Sequence, residues 1–306
     1  MIRARAATIV DVGPRDGFQP IRPTIPTDRK IDVIRRLHAA GLRRIEATAF
    51  VSDTAVPQLA DAKEVMSAAQ ELAGLDVQVL VPNQRHAERA LAAGATRLAF
   101  VLSVSEKHNM NNVRRRPADS VEEYARIAAI LPPGVLMRMN IATAFDCPFD
   151  GPVDPAEAMR MIDRLAEILP EAEICPCDTT GRVTSDRVGA LLRTARERHP
   201  EVAGWAYHGH DTYGLGVANA IAALEAGVSV IDASIGGLGG CPFAPGATGN
   251  VATEDVVWTF ERMGIATGIN LDALIPIARD VAALPGALAG GRVRDALTAS
   301  LCREVV

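Results

Sequence analysis

The sequence predicts a single (β/α)8 TIM barrel. Three observations carry that prediction. Strand-like and helix-like segments alternate from one end of the chain to the other. The length of 306 residues exceeds the roughly 250 typical of one such barrel and falls short of two large domains. No phosphate-binding glycine loop follows the first strand, as one usually does in an open doubly wound sheet.

The elements follow in order. Strand one is expected over Ala7–Val12, and a helix over Thr27–Ala40, which opens on a Thr-Asp cap signal and ends at Gly41. Strands two to four are expected at Arg44–Phe50, Val77–Val81 and Arg97–Leu102. A helix at Asp119–Leu131 precedes strand five, Val135–Ala142. A helix at Pro155–Leu169 precedes strand six, Glu173–Cys177, and one at Thr184–Arg198 precedes strand seven, Gly204–His208. These helices repeat apolar residues at three- and four-residue spacing. Leu215–Ala226 stops at Gly227, strand eight covers Val228–Ala233, and Glu254–Met263 stops at Gly264. Each strand is short and rich in large apolar residues, as a strand buried on both faces should be. From about residue 270 the chain offers a helix (Leu271–Leu284), a glycine-rich break (Gly286–Gly291) and a short helical end. The expected organisation is one catalytic domain over residues 1–306, with about 270–306 as a C-terminal helical cap.

Composition narrows the function classes. Hydrophobic residues make up 48% of the chain and aromatics 4%, which suits tightly packed parallel strands under helices. A net charge of −5 argues against nucleic acid as a partner but leaves room for a small anionic ligand on a local basic patch. No apolar run reaches the ~18 residues of a membrane span. The amino-terminal apolar stretch runs straight into strand one, so no signal peptide is expected and the location is read as cytoplasmic. The five cysteines, Cys147, Cys175, Cys177, Cys241 and Cys302, form no CxxC pair and fit a reducing compartment.

In a barrel of this kind chemistry collects where strands end. Strand one ends in Val12-Gly13-Pro14-Arg15-Asp16-Gly17, strand two contains Glu46, and strand six ends at Asp178. Strand seven ends in His208-Gly209-His210-Asp211, and strand eight runs into a glycine-rich loop with Cys241, followed by Gly249-Asn250. Residues i and i+2 of a strand point the same way, so His208 and His210 face one point. Two imidazoles, the Asp16 carboxylate and the Asn250 amide oxygen suit a six-coordinate Mg²⁺ or Mn²⁺ better than Zn²⁺. Arg15 needs an anionic partner, either Glu46 or the substrate. Cys241, set between glycines and a proline, is a candidate proton donor over the mouth. Lys107, His108 and Arg114–Arg116 follow strand four and could attract phosphates.

The stretches VGPRDGFQ (12–19), IEATAFVS (45–52), SEKHNMNNV (105–113), HGHDTYGLGVANA (208–220) and GGLGGCPFAPGATGNVATED (236–255) resemble 3-hydroxy-3-methylglutaryl-CoA lyases. These belong to the barrel metallolyases named for an Asp-Arg-Glu triad. The resemblance implies Asp16, His208, His210 and Asn250 as metal ligands. It implies Arg15 as the substrate-polarising arginine, Glu46 as the triad glutamate, Asp178 as an active-site acid and Cys241 as the catalytic cysteine of a mobile loop. The implied reaction is divalent-metal-dependent cleavage of a 3-hydroxy-3-methylglutaryl-type thioester to acetyl-CoA and acetoacetate. The implied partner is a small acyl-CoA, in a homodimer or higher homo-oligomer. Alternatives are a lyase for another branched 3-hydroxyacyl-CoA or a CoA-free hydroxy acid, and a Claisen-type synthase on the same scaffold. The family usually continues its first motif as Gly-Leu-Gln-Asn-Glu, whereas this chain reads Gly17-Phe18-Gln19-Pro20-Ile21. Together with the unusual Cys175-Pro176-Cys177-Asp178, this leaves open a larger or more apolar acyl substituent.

Overall fold

Eight parallel strands hydrogen-bond in the closed order β1-β8-β7-β6-β5-β4-β3-β2 in the computed structural model, which describes residues 5–240 and 249–301. The strands are β1 (Thr8–Asp11), β2 (Arg44–Ala49), β3 (Asp76–Leu80), β4 (Arg97–Ser103), β5 (Leu136–Ala142), β6 (Glu173–Asp178), β7 (Gly204–Gly209) and β8 (Val230–Ala233). All eight fall on the segments expected from sequence, within one or two residues at each end. Helices α1 (Thr27–Ala39), α5 (Pro117–Ala129), α6 (Pro155–Ile168), α7 (Ser185–Arg198), α8 (Gly216–Glu225) and α9 (Thr253–Arg262) also lie on their expected segments. Three more were not assigned from sequence: α2 (Ala62–Gln70), α3 (Gln84–Ala92) and α4 (Glu106–Val113). They are short. The Asn83 and Ser105 side chains cap α3 and α4 by accepting from the His86 and His108 N–H groups.

Helices and strands share one apolar core outside the barrel, where Ile9, Ile45, Val77, Leu98, Met139, Ile174, Tyr207 and Ile231 meet the inner faces of the helices. The lumen has a different character. Arg44 pairs with Asp76 and Glu173, each at 2.8 Å, and Arg97 pairs with Asp76 at 2.8 Å. Arg138 reaches Glu173 at 3.4 Å and Asp232 at 2.8 Å. Charged side chains therefore fill the lower barrel, where branched apolar layers are the common solution.

The chain beyond α9 forms α10 (Leu271–Ala282) and α11 (Val293–Leu301). Helix α10 packs beside α1 and α9. The glycine-rich break then returns to the end of β8, where Gly290 N–H donates to the Gly236 carbonyl and Arg292 N–H donates to Asp255.

Candidate active site

The chain leaves β1 through one turn of π-helix, Gly13–Gly17, which carries Arg15 and Asp16 over the mouth. The two bounding glycines are required by crowding. A Cβ on Gly13 would stand 2.8 Å from both Asp11 Oδ1 and Ile235, and one on Gly17 would stand 2.9 Å from both Leu238 and the Ser234 hydroxyl. Arg15 is clamped at two edges: Nε donates to Glu46 and Nη1 to Asp16. Glu46 is buried and also accepts from Gln78 Nε2. Burial acts against the Arg15 charge, but Asp16 and Glu46 outweigh it and hold the guanidinium firmly protonated.

Asp16, His208 and His210 present ligand atoms that all lie within 4.8 Å of one another. The two imidazoles sit one strand-repeat apart, with Nε2 atoms facing each other at 3.3 Å. His208 Nδ1 meets Asp232 Oδ2 at 3.0 Å. The carboxylate there accepts from Nδ1–H, which turns Nε2 toward the cluster. Asn250 is placed by a β-bridge to His210. Its Nδ2 donates to Asp16 Oδ2 at 2.8 Å and to the Leu238 carbonyl at 3.0 Å, which leaves a buried Oδ1 without a partner. Two inward imidazole nitrogens, a carboxylate and an orphaned amide oxygen fit a divalent cation.

Electrostatics agree. Burial would raise the Asp16 carboxyl, yet Arg15, His208 and Asn250 bring it down to about 2, so it is an anion at neutral pH. Burial would lower His208, but Asp232, Cys177 and Asp16 push it up to about 9. His210 goes the other way, to about 4, through burial and the charge on His208. A cation held here would take the place of the His208 Nε2 proton and would meet a neutral His210.

Arg15, Asp16, His208 and His210 open onto a cavity of about 190 Å³ whose far wall includes Leu80, Val101, Asn140 and Ala142. Asp178 is not among the lining residues. Its neighbours Cys177 and Thr179 are, and strand alternation turns Asp178 to the other side. There its Oδ1 accepts from the Gly181 N–H at 2.9 Å, Oδ2 is buried without a partner, and burial raises the carboxyl to about 7 against the backbone donors. The structure thus places Asp178 as the fastener of the loop after β6. Cys241 lies outside the described residues; the residue before it, Gly240, lines the cavity.

Of residues 18–21 only Gln19, which matches the family motif, lines the cavity; the departures at Phe18, Pro20 and Ile21 do not. Phe18 and Ile21 are buried in the apolar core and Pro20 is exposed. Of the basic residues after strand four, Lys107 pairs with Asp150 and Arg116 with Asp119, while buried His108 accompanies Asn112 on the cavity wall. Asp232 and Arg138 were missed from sequence. Both are charged residues inside apolar strands, the same signal that drew attention to Arg15 and Glu46.

The HMGL-like family model matches residues 6–281. An (R)-citramalyl-CoA lyase of Chloroflexus aurantiacus is 42% identical over 281 residues, covering 88% of each chain. The mitochondrial hydroxymethylglutaryl-CoA lyase of Mus musculus is 40% identical over 268 residues, covering 87% of this chain and 82% of that one. Among solved structures, an HMG-CoA lyase of Acinetobacter baumannii in complex with coenzyme A and 3-methylmalate superposes with a TM-score of 0.89 at 37% identity, covering 97% of this chain and 96% of that one. A hydroxymethylglutaryl-CoA lyase of Pseudomonas aeruginosa gives 0.91 at 35% identity, covering 98% and 100%.

Proposed function

The chain belongs to the HMGL-like family, a family of carbon–carbon lyases, and on that footing we propose that it cleaves 3-hydroxy-3-methylglutaryl-CoA to acetyl-CoA and acetoacetate. The observation that carries this is the Asp16–His208–His210 cluster set beside the clamped Arg15 in one cavity. Asp16, His208, His210 and Asn250 are the proposed ligands, and their hard oxygens and two imidazoles favour Mg²⁺ or Mn²⁺. When bound, such a cation supplies Lewis acidity to the substrate oxygens.

The protein's own groups do the rest. The tertiary hydroxyl loses its proton, its oxygen electrons form the ketone, and the C2–C3 bond breaks to leave the thioester enolate. Arg15, with Nε and Nη1 held by Glu46 and Asp16, offers its remaining edge to the thioester oxygen on which negative charge grows. Because Glu46 fixes that edge before substrate arrives, little reorganisation is needed during the reaction. Of the two proton acceptors considered from sequence, Asp178 does not line the cavity, and His208, with Nδ1–H given to Asp232 and Nε2 turned to the ligand cluster, has no nitrogen left to accept, so the hydroxyl proton is proposed to leave to water at the cavity mouth. Cys241 follows cavity-lining Gly240 directly in the chain, and it is proposed to protonate the enolate carbon.

A second reading is favoured by the 42%-identical citramalyl-CoA lyase: a branched 3-hydroxyacyl-CoA whose diacid chain is one carbon shorter. One experiment tests both. Purified protein loaded with Mg²⁺ is given each thioester, and acetyl-CoA and the oxo acid are followed directly. Rapid metal-dependent acetoacetate formation establishes the first reading, and faster pyruvate formation from citramalyl-CoA replaces it with the second. Failure with both thioesters at a filled metal site would overturn the proposed reaction.

A further inference from the structure

Glu46 orients Arg15, and a neighbouring strand orients Glu46. Glu46 on β2 and Gln78 on β3 are register partners. Ile45 and Val77 beside them pack in the apolar core outside the barrel, so strand alternation turns Glu46 and Gln78 into the lumen. Both are buried there. The β2–β3 register shifts directly above the pair, at a bulge between Glu46 and Thr48, where a strand re-aims its side chains. The side chains then supply the constraint. Arg15 Nε donates to Glu46 Oε1, and Gln78 Nε2 donates to Glu46 Oε2. With one oxygen held from each side, the carboxylate plane cannot turn without losing a hydrogen bond.

Packing alone does not account for a glutamine at this position. Once Nε2 donates to Glu46, the amide oxygen Oε1 is buried with no hydrogen-bond partner. A buried acceptor left unpaired costs stability, and a leucine of similar size would fill the space without that cost. The residue type also suits the task. A lysine would compete with Arg15 for the carboxylate and an acid would repel it, whereas an amide donates with no net charge. We propose that Gln78 is a positioning residue for the lyase reaction. By holding Glu46 Oε2 it fixes the plane of that carboxylate, and through it the edge that Arg15 presents to the cavity. This rests on the proposed function for what Arg15 stabilises, and on the two hydrogen bonds of Glu46 for the linkage.

Gln78→Leu tests it, and Gln78→Met, unbranched like glutamine, takes its place if a urea melt shows the leucine variant unfolded. With Mg²⁺ and the thioester that the wild type cleaves, kcat is expected to fall at least tenfold while KM stays within threefold, because the Arg15 contact matters most as charge grows in the transition state. A second readout does not use the reaction. Exchange of the Arg15 Nε–H with solvent is followed by NMR in ¹⁵N-arginine-labelled protein, its signal assigned by its loss in Arg15→Lys. It is expected to quicken at least tenfold in Gln78→Leu. It is expected to change less than twofold when the same substitution is added to Glu46→Ala, in which the link is already gone. A kcat within twofold of wild type, an unchanged exchange rate, or an equal quickening in both backgrounds overturns the assignment while leaving the proposed reaction standing. If the wild type cleaves neither thioester, the reaction is lost, and the exchange rates alone decide whether Gln78 positions Arg15 through Glu46.

Discussion

Replacing Asp232 by Asn isolates one charge beneath the Asp16–His208–His210 cluster. In the wild type, Asp232 Oδ2 accepts from His208 Nδ1 at 3.0 Å and from Arg138 Nη2 at 2.8 Å. Arg138 only donates, so the Asn oxygen must take the Oδ2 position and both hydrogen bonds can persist. What disappears is the negative charge that raises His208 basicity and balances Arg138. Loss of a partner that orients a ligating histidine typically weakens metal binding by about 10–100-fold, or roughly 1.4–2.7 kcal/mol. A pH signature accompanies it. With His208 pushed up to about 9, the proton competes with the cation at neutral pH, so affinity should climb with pH until about 9. In Asp232→Asn that plateau begins at a lower pH, because the group that holds the proton has gone. Stability falls as well: breaking a buried pair costs roughly 3–5 kcal/mol, and Glu173 at 3.4 Å still faces Arg138, which favours the lower end. Calorimetric Mg²⁺ titration from pH 6.5 to 9.5, with a urea melt to confirm folding, measures both. A folded variant that binds Mg²⁺ within twofold of wild type, with its plateau unmoved, would refute the reasoning.

Three further outcomes are expected. Arg15→Lys gives up the forked clamp of Glu46 and Asp16, and kcat/KM should fall on the order of 10²–10³; a loss of twofold or less would make Arg15 peripheral. Cys241→Ala should abolish most turnover with Mg²⁺ content unchanged, and normal turnover would remove the thiol from the mechanism. Asp178→Asn should alter how stability depends on pH. Burial lifts the folded-state carboxyl to about 7 from 3.8, so between those values the folded protein holds more protons than the unfolded chain. The Asp178 contribution to stability is then lost as pH rises through that window, by roughly 1.4 kcal/mol per pH unit. The Asn variant lacks this loss. Its stability relative to wild type should grow between pH 5 and pH 8 in urea melts, and a flat difference would show that Asp178 is not buried as a neutral acid.

The convergence of His208 and His210 was legible because period-two alternation needs no knowledge of the fold: the two share a face wherever the strand lies. The rule that strand ends carry chemistry located Arg15 and Asp16 in the same way. It failed for Asp178 because it gives a height along the barrel and not a side. Both faces of β6 are buried, so hydrophobicity does not reveal which parity points inward. Arg138 and Asp232 lie 94 positions apart and meet only because the barrel closes, a pairing no local pattern contains. The charged floor left a trace in Arg44, Arg97 and Glu173, each of which begins a strand, but an expectation of apolar layers gave no reason to connect them. Helices α2, α3 and α4 are too short for their spacing to stand out from the flanking loops.

The cross-braced floor also governs traffic. Arg44 on β2 and Glu173 on β6 belong to strands opposite each other in the closed order, so their ion pair spans the lumen like a bolt and leaves a vessel with one door. Under the proposed reaction, cleavage inside such a vessel makes two products of unequal reach. The thioester fills the doorway and the small oxo acid lies behind it. Departure is then a queue in which the thioester goes first. Acetoacetate should accordingly inhibit competitively against the substrate, and acetyl-CoA non-competitively. The reverse pattern would mean that the oxo acid has a way out past its larger partner.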